Sequence, residues 1–253
     1  MFKEYPNHML DQVIFQIKFY PLLKLYSDAP EVASDFQQVV INEFPELNIK
    51  QSRKVSLKLG STGLPVGGEA NKPHLIWNFK NDNGKFINLS GDDLSLTYPG
   101  NVYTTFKPFL EDIKLALSGL KLYNLPKIKS IGLRYINQID LEDDSNLDGF
   151  INPKLHLLSS DSDNENVIQS ISRIEYNIGK FFLSFQYGLF NPKYPEYDSK
   201  KDFILDYDCI LNGAPADNLE DCLNEMNNII YTKFESSIGD KLRIKMGGKL
   251  NDK

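Results

Sequence analysis

Residues 74–99 read HLIWNFKNDNGKFINLSGDDLSLTYP, and this stretch decides the fold class. Apolar residues alternate with other residues in three short runs, at 75–79, 87–89 and 94–98. Successive side chains of a β-strand point to opposite faces, so each run predicts a strand with one buried face. Asn83-Gly84, between the first two runs, supplies the positive φ angles that a tight hairpin turn requires. We therefore expect these neighbouring strands to pair antiparallel.

The rest of the chain continues the same pattern. Helical spacing of apolar residues appears at 31–44, at 103–120 and in a final helix that begins near Asp217 and is divided at Gly239. Alternation of period two predicts further strands at 13–20, 55–59, 131–139, 168–178, 181–189 and 203–211.

This order of elements predicts the α+β class. It gives an antiparallel sheet of about nine strands in two meanders, with about three helices packed on one face. Four strands and a helix follow one another twice, which suggests an internal structural duplication of residues 1–122 and 123–253. We expect one unit over residues 1–253, or two intimate halves.

Charge and composition bear on partners and location. The 253-residue chain has a formal net charge of -6, whereas phosphate binding draws on clustered Lys and Arg, so the charge does not indicate nucleic acid. Charged residues interrupt positions 1–20, and no apolar run approaches the roughly 20 residues of a membrane span. We expect a cytoplasmic protein. Cys209 and Cys222 are the two cysteines, which predicts neither a disulfide framework nor a catalytic thiol.

Several familiar motifs are incomplete in this chain. The glycine-rich run at 60–68 lacks the Lys-Ser/Thr and the following helix of a phosphate loop, so we expect a flexible connection there. The acidic run at 161–165 lacks the sixth-position glycine and the distal Glu of a calcium loop. His8, His74 and His156 have no zinc-site spacing. The sequence thus predicts no catalytic residue, metal or cofactor.

Two aspartates on one predicted strand form the first candidate site. Asp206 and Asp208 are two residues apart, so their carboxylates share a face at a separation of roughly 7 Å. Such a pair suits a metal or a division of acid and base roles. The alternative is a solvated polar strand face, although Ile204 and Ile210 on that face favour partial burial.

Arg134, Tyr135 and Asn137 form the second candidate site. Alternation places Tyr135 and Asn137 on the core side of their strand and Arg134 on the opposite side. The planar guanidinium of Arg134 suits an anionic ligand, but a structural ion pair with an acid such as Asp206 is the favoured interpretation.

Four segments resemble a family of sporadically distributed bacterial proteins of about this length with no established activity. They are Tyr5-Pro6, Tyr103-x-x-Phe106-x-x-Phe109, Leu133-Arg134-Tyr135-Ile136-Asn137 and Leu205-Asp206-Tyr207-Asp208. The chain departs from the family at Phe106, where Trp is common, and near Gln16, where an acid is common. The resemblance implies a prokaryotic, cytosolic protein of the kind found on mobile or defence-associated islands, and it implies no reaction.

Two functions compete at this level. The favoured hypothesis is a non-enzymatic binding or accessory protein that engages a protein partner or a second copy of itself. It rests on the lack of a catalytic motif and on the 13 Tyr and 16 Phe residues, since aromatic side chains are preferred interface anchors. The alternative is an enzyme or ligand sensor acting on nucleotides or nucleic acid, with Arg134, Asp206 and Asp208 as its polar centre.

Overall fold

The computed structural model describes residues 5–27, 29–52, 55–59, 65–70, 74–124, 127–141, 147–156, 167–196, 202–213 and 218–248. Within these ranges the chain forms eleven strands and four α-helices. The strands are β1 (Leu10–Phe19), β2 (Glu46–Ser52), β3 (Val55–Leu59), β4 (Pro65–Ala70), β5 (His74–Lys80), β6 (Phe86–Leu89), β7 (Asp93–Pro99), β8 (Ile128–Asp140), β9 (Ser170–Ile178), β10 (Phe181–Phe190) and β11 (Asp202–Asn212). The helices are α1 (Glu31–Val40), α2 (Phe106–Lys121), α3 (Leu219–Ser237) and α4 (Asp240–Lys245).

Nine of these strands form one open sheet in the order β2-β5-β6-β7-β1-β8-β11-β10-β9. Every neighbouring pair in it is antiparallel. Consecutive strands β5-β6-β7 and β9-β10-β11 form the two meanders that alternation predicted. The α+β class and the antiparallel sheet are therefore confirmed.

The two halves of the chain build the sheet in the same way. In each half the first strand lies beside the last one, so β1 pairs with β7 and β8 pairs with β11. The first strands then pair with each other at the centre of the sheet, and each half closes with a helix. The described part of the second half has one sheet strand fewer and no counterpart of α1. The connection of elements thus follows the pattern of a duplication.

All the helices that contact the sheet lie on one of its faces. On β5, Phe79 packs against Phe36 of α1, with 5.1 Å between ring centroids. The Tyr135 hydroxyl of β8 donates to Asn227 Oδ1 of α3 at 2.9 Å. The core lies between this face and the helices, and every second residue of the central strands is buried in it. The opposite sheet face is left uncovered by the described helices.

The structure corrects three sequence-based expectations about strands. Residues 46–52 form β2, an edge strand that alternation did not predict. Residues 55–59 do form a strand, but β3 pairs with β4 in a separate two-stranded sheet and does not join the large one. Residues 65–68 of the glycine-rich run, which was expected to be a flexible connection, belong to β4, while residues 60–64 of that run lie outside the described ranges.

The helices begin and end close to the predicted positions, with one shortening. The predicted helix at 31–44 ends as α1 at Val40, and Phe44 is still buried beyond it. The last helix is divided at Gly239, as predicted. A Cβ there would lie 2.2 Å from the Gly149 carbonyl oxygen, so the division requires a residue without a side chain. None of the described helices has both the length and the apolar content that a membrane span requires.

Candidate functional site

The side of the sheet that the described helices leave uncovered carries the candidate polar residues, and we call it the open face. It consists of the alternate residues of each strand that point away from the helices. At its centre a row of directly opposed residues crosses five strands: Ile14, Arg134, Asp208, Ser184 and Glu175. Asp206 lies two residues from Asp208 on the same strand and the same face. The sheet register therefore brings Arg134, Asp206 and Asp208 together.

Arg134 and Asp206 form a two-pronged ion pair across β8 and β11. Arg134 donates from Nε to Asp206 Oδ1 at 2.8 Å and from an Nη to Asp206 Oδ2 at 2.6 Å. The Asp206 side chain is only 7% exposed, whereas that of Arg134 is 38% exposed. These hydrogen bonds raise the pKa of Arg134 above its ordinary value. The structural pairing favoured from the sequence is present, and it leaves one side of the guanidinium accessible to solvent.

Asp208 differs from Asp206 although the two are close neighbours. It lies directly opposite Arg134 in the β8–β11 register, yet it makes no side-chain hydrogen bond or ion pair with any described residue. Burial raises the pKa of the Asp208 carboxyl above its ordinary value, and the positive charge of Arg134 opposes this rise. The carboxylate is thus held in a half-buried position without a strong partner of its own.

Gly132 leaves open space next to this carboxylate. It lies two residues before Arg134 on β8, on the same face. A Cβ at Gly132 would come no closer than 3.8 Å to Asp208 Oδ1, which is ordinary van der Waals contact. Gln16 of β1 is directly opposite Gly132 and donates to Asp93 Oδ2 at 3.4 Å. A glycine within a strand often marks a place where another group approaches closely.

Charged and polar side chains continue toward the edge strand β9. Arg173 donates from Nε to Ser184 Oγ at 3.1 Å and forms an ion pair with Glu175, two residues further on. Ser184 Oγ also donates to Glu175 Oε1 at 3.3 Å. These three residues form a second polar cluster next to Asp208.

Apolar side chains surround these polar residues on the open face. Four of them are half-buried isoleucines, namely Ile14, Ile136, Ile204 and Ile210. The fifth is Phe182, which is 39% exposed. Such residues on a sheet face that no described helix covers leave apolar area in contact with water. The open face therefore combines an apolar surround with a polar centre.

Tyr135 and Asn137 lie on the other side of the sheet. The Tyr135 hydroxyl bonds the Tyr103 hydroxyl at 3.0 Å beneath the helices, and Asn137 Nδ2 donates to the Leu205 carbonyl oxygen at 3.2 Å. Burial raises the pKa of Tyr135 well above its ordinary value. The structure thus divides the five candidate residues, with three on the open face and these two in the core.

A cleft of about 600 Å³ lies away from this site, between the start of α3 and the β9–β10 turn. Its lining includes Lys180, Cys222 and Glu225, and Lys180 pairs with Glu225 at 2.5 Å. Both cysteines are free and buried, and burial raises the pKa of Cys209 to about 12. Since the cleft contains none of the candidate residues, it does not support the polar centre as a small-molecule pocket.

The histidines and the acidic run that the sequence analysis considered as metal ligands are the remaining residues to place. Among the described residues, no group of three His, Cys, Asp or Glu side chains is placed to hold a metal ion. The Nε2 of His8 contacts the Tyr103 carbonyl oxygen at 2.8 Å, and that of His156 contacts the Ile151 carbonyl oxygen at 2.9 Å. The acidic run at 161–165 lies outside the described ranges.

The comparison with known proteins adds no relative. The chain matches no protein-family model and none of the curated proteins against which it was compared. The site is therefore defined by its geometry alone. Sequence reasoning missed Gly132 and Ser184 as members of it, although a glycine inside an alternating strand was an available signal.

Proposed function

We propose that this chain is a non-enzymatic binding or accessory protein that engages a protein partner through the open face. The observation that carries the proposal is a nine-stranded sheet whose described helices cover one face only. The other face combines half-buried isoleucines with a polar centre. Exposed apolar area bordered by polar residues is a common mark of an interaction site, and Arg is enriched in protein interfaces.

A broad partner suits this face better than a small molecule. Small ligands are usually enclosed in concave pockets of about 300–1,000 Å³. The cleft of that size lies elsewhere, at Lys180 and Cys222. The open face offers instead a row of opposed residues that runs across five strands. Such a span fits the surface of another folded chain or an extended peptide.

The charges of the open face favour protein over nucleic acid. Nucleic-acid binding requires an excess of basic residues, because each phosphate contact replaces counterions. The described centre of the open face has no such excess, since its acidic residues outnumber its basic ones by one: Asp93, Asp206, Asp208 and Glu175 against Lys18, Arg134 and Arg173.

Asp208 is the residue best placed to give the interaction specificity. A half-buried carboxylate that accepts no hydrogen bond from the described residues is costly unless another group donates to it. A Lys, an Arg or a backbone N–H of the partner would satisfy this need in the space that Gly132 leaves. Arg134 remains fixed by Asp206 and presents its exposed side to the same partner.

We propose further that this activity belongs to the prokaryotic cytoplasm, in a mobile-element or defence context, as the resemblance implies. We carry that setting over as part of the proposal, because the segments on which it rests include Arg134, Asp206 and Asp208. It names no partner, so the partner must be sought by capture.

The test compares open-face and helix-side variants of the full chain. The variant Gly132→Leu projects a long side chain over Asp208, while Lys107→Glu changes an exposed residue of α2 and serves as the control. Both proteins, once shown to have wild-type thermal unfolding, are used for affinity purification from the host with quantitative mass spectrometry. We expect a protein recovered by the wild type and Lys107→Glu and lost with Gly132→Leu. Recovery of the same proteins by the wild type and both variants, or of none, contradicts the proposal.

A second candidate function rests on one observation. Arg134, Asp206 and Asp208 converge, and two of them stay partly exposed, which is the arrangement that a nucleotide-acting enzyme or ligand sensor would need. A thermal-shift screen with nucleotides tests it. Stabilisation of the wild type that is lost in Asp208→Asn would favour this alternative, and the absence of any shift would remove it.

A further inference from the structure

Strand β9 forms one edge of the large sheet, and its outer side is unpaired in the described part of the chain. It is a nine-residue strand that pairs with β10 on its inner side only. An edge strand presents unpaired N–H and C=O groups and so acts as a template for another strand. We infer that β9 pairs antiparallel with β9 of a second copy of this chain, around a two-fold axis at Ile174.

The charges of β9 are complementary to themselves in this register. An axis at Ile174 places Arg173 of one copy opposite Glu175 of the second, and Glu175 opposite the other Arg173. Both residues lie on the open face and are exposed. Cross-strand pairs of opposite charge stabilise antiparallel pairing, whereas like charges directly opposite destabilise it. Two favourable pairs thus form at once, because the interface is isologous.

Neighbouring registers lack this property. An axis at Arg173 places two arginines opposite each other, and an axis at Glu175 places two glutamates opposite each other. An axis midway between two residues would place each open-face residue of one β9 opposite a core-side residue of the other. The open faces of the two sheets would then lie on opposite sides. The sequence of β9 therefore selects one arrangement among those in which the two sheets continue in the same orientation.

Apolar residues support the same contact. Ile171 and Ile178 of β9 are 36% and 38% exposed, and they lie opposite Asn177 and Ser170 of the second copy. In the proposed register Ile174 meets Ile174 of the second copy on the helix side. Ser172 and Tyr176 lie opposite one another there, and the Tyr176 hydroxyl accepts from Lys233 of α3 at 2.7 Å.

The opposite edge, β2, is the competing site. It also carries a complementary pair, since an axis at Asn48 would place Glu46 opposite Lys50. However, β2 is shorter, with seven residues against nine. Residues 53–54 directly after it lie outside the described ranges. We therefore assign the contact to β9 and use β2 as the control edge.

The experiment measures the oligomeric state of the full chain by sedimentation velocity at several concentrations. We expect the wild type to dimerise, and Arg173→Glu and Glu175→Arg, each alone, to weaken dimerisation by about tenfold to a hundredfold through two repulsive pairs. An equimolar mixture of the two variants restores complementary pairs between unlike chains, so we expect the mixture to dimerise again. The variants Glu46→Lys and Lys50→Glu at the other edge leave the wild-type dimer unchanged.

The rescue by mixing separates the inference from a structural role of the same residues. In each single variant, residues 173 and 175 carry like charges and also repel each other within the same strand. Mixing the two variants cannot remove that repulsion. A monomeric wild type overturns the inference, as does a dimer that survives both single variants. A dimer that responds to Glu46→Lys but not to Arg173→Glu places the contact at β2 and also overturns it. The open-face partner is captured in a separate experiment, so either result can fail without the other.

Discussion

Asp206 and Asp208 allow one comparison that separates the structural from the functional part of the polar centre. They lie on the same strand and the same face, and Asn replaces either carboxylate with little change of shape. Asp206 holds Arg134 through two hydrogen bonds, whereas Asp208 accepts none from the described residues. We expect the two substitutions to change stability in opposite directions.

The loss for Asp206→Asn follows from its two bonds to Arg134. A hydrogen bond to a charged group contributes about 1.5–3 kcal/mol. Asn retains one acceptor but turns an NH2 group toward the guanidinium, so one bond and the charge pair are lost. Because Arg134 is 38% exposed, water replaces part of the lost interaction. We expect a loss of about 2 kcal/mol, which lowers the Tm of a chain of this size by about 4–8 °C.

The gain for Asp208→Asn follows from the raised pKa of this carboxyl. Burial raises it, so the ionised form of Asp208 is less stable in the folded protein than in the unfolded chain. Removing the charge should stabilise the folded protein by about 1 kcal/mol, within the range of about 0.5–2 kcal/mol that is common for single stabilising substitutions. The gain should shrink as the pH falls through the pKa of Asp208, because the folded wild type then takes up a proton.

The assay is urea unfolding at pH 7 and at acid pH, followed by the fluorescence of the buried Trp77 and by circular dichroism. The wild type and both variants are compared in the same buffers. A destabilisation by Asp208→Asn equal to that by Asp206→Asn would refute the reasoning, because Asp208 would then be a structural member of the ion-pair network. A gain that does not depend on pH would refute its assignment to the carboxylate.

Three further predictions concern the sheet and its core. Gly188 has φ +144°, and a Cβ there would lie 1.9 Å from the Ser170 carbonyl oxygen, so Gly188→Ala should cost about 3 kcal/mol or more of unfolding free energy. Its matched control, Gly132→Ala on β8, meets no close contact and should stay within about 0.5 kcal/mol of the wild type or be slightly more stable, as measured by urea unfolding. Burial raises the pKa of Cys209 to about 12, so Cys209 should react with a thiol reagent at pH 8 only after denaturation. Rapid labelling of Cys209 in the native protein, detected by peptide mapping, would contradict this. Burial raises the pKa of Tyr103 to about 12, so above pH 10 the unfolded chain loses this proton before the folded protein does. The free energy of unfolding should therefore fall between pH 10 and 12. A flat alkaline unfolding profile in the wild type, or a Tyr103→Phe profile identical to that of the wild type, would count against this.

The strands of the two meanders were predictable because their alternation is strong. Trp77 and Phe79, for example, follow the period of a strand with one buried face. Strand β2 escaped prediction because it is an edge strand in which Ile49 is exposed and the other side chains are mostly polar. The glycine-rich composition of residues 65–70 favoured a loop, yet pairing with β3 made them a strand.

The candidate site was predictable only in part. Alternation places Arg134 on one face of β8 and Asp206 on one face of β11, but it does not show which strands are neighbours. Strands β8 and β11 are separated in the chain by β9 and β10, and only the sheet order sets them side by side. Among the described residues Arg134 pairs with Asp206 and not with Asp208, and this choice depends on the side-chain geometry of Arg134, for which the sequence has no signal.

Capture with matched variants is the most direct test of the central claim that the open face binds a protein partner. Wild type, Gly132→Leu and the helix-side control Lys107→Glu are purified from the host in parallel, and the recovered proteins are quantified. We expect one protein that is retained by the wild type and the control and is depleted at least tenfold with Gly132→Leu, about the effect of losing a single central interface contact. Equal recovery with the wild type and both variants would contradict the claim.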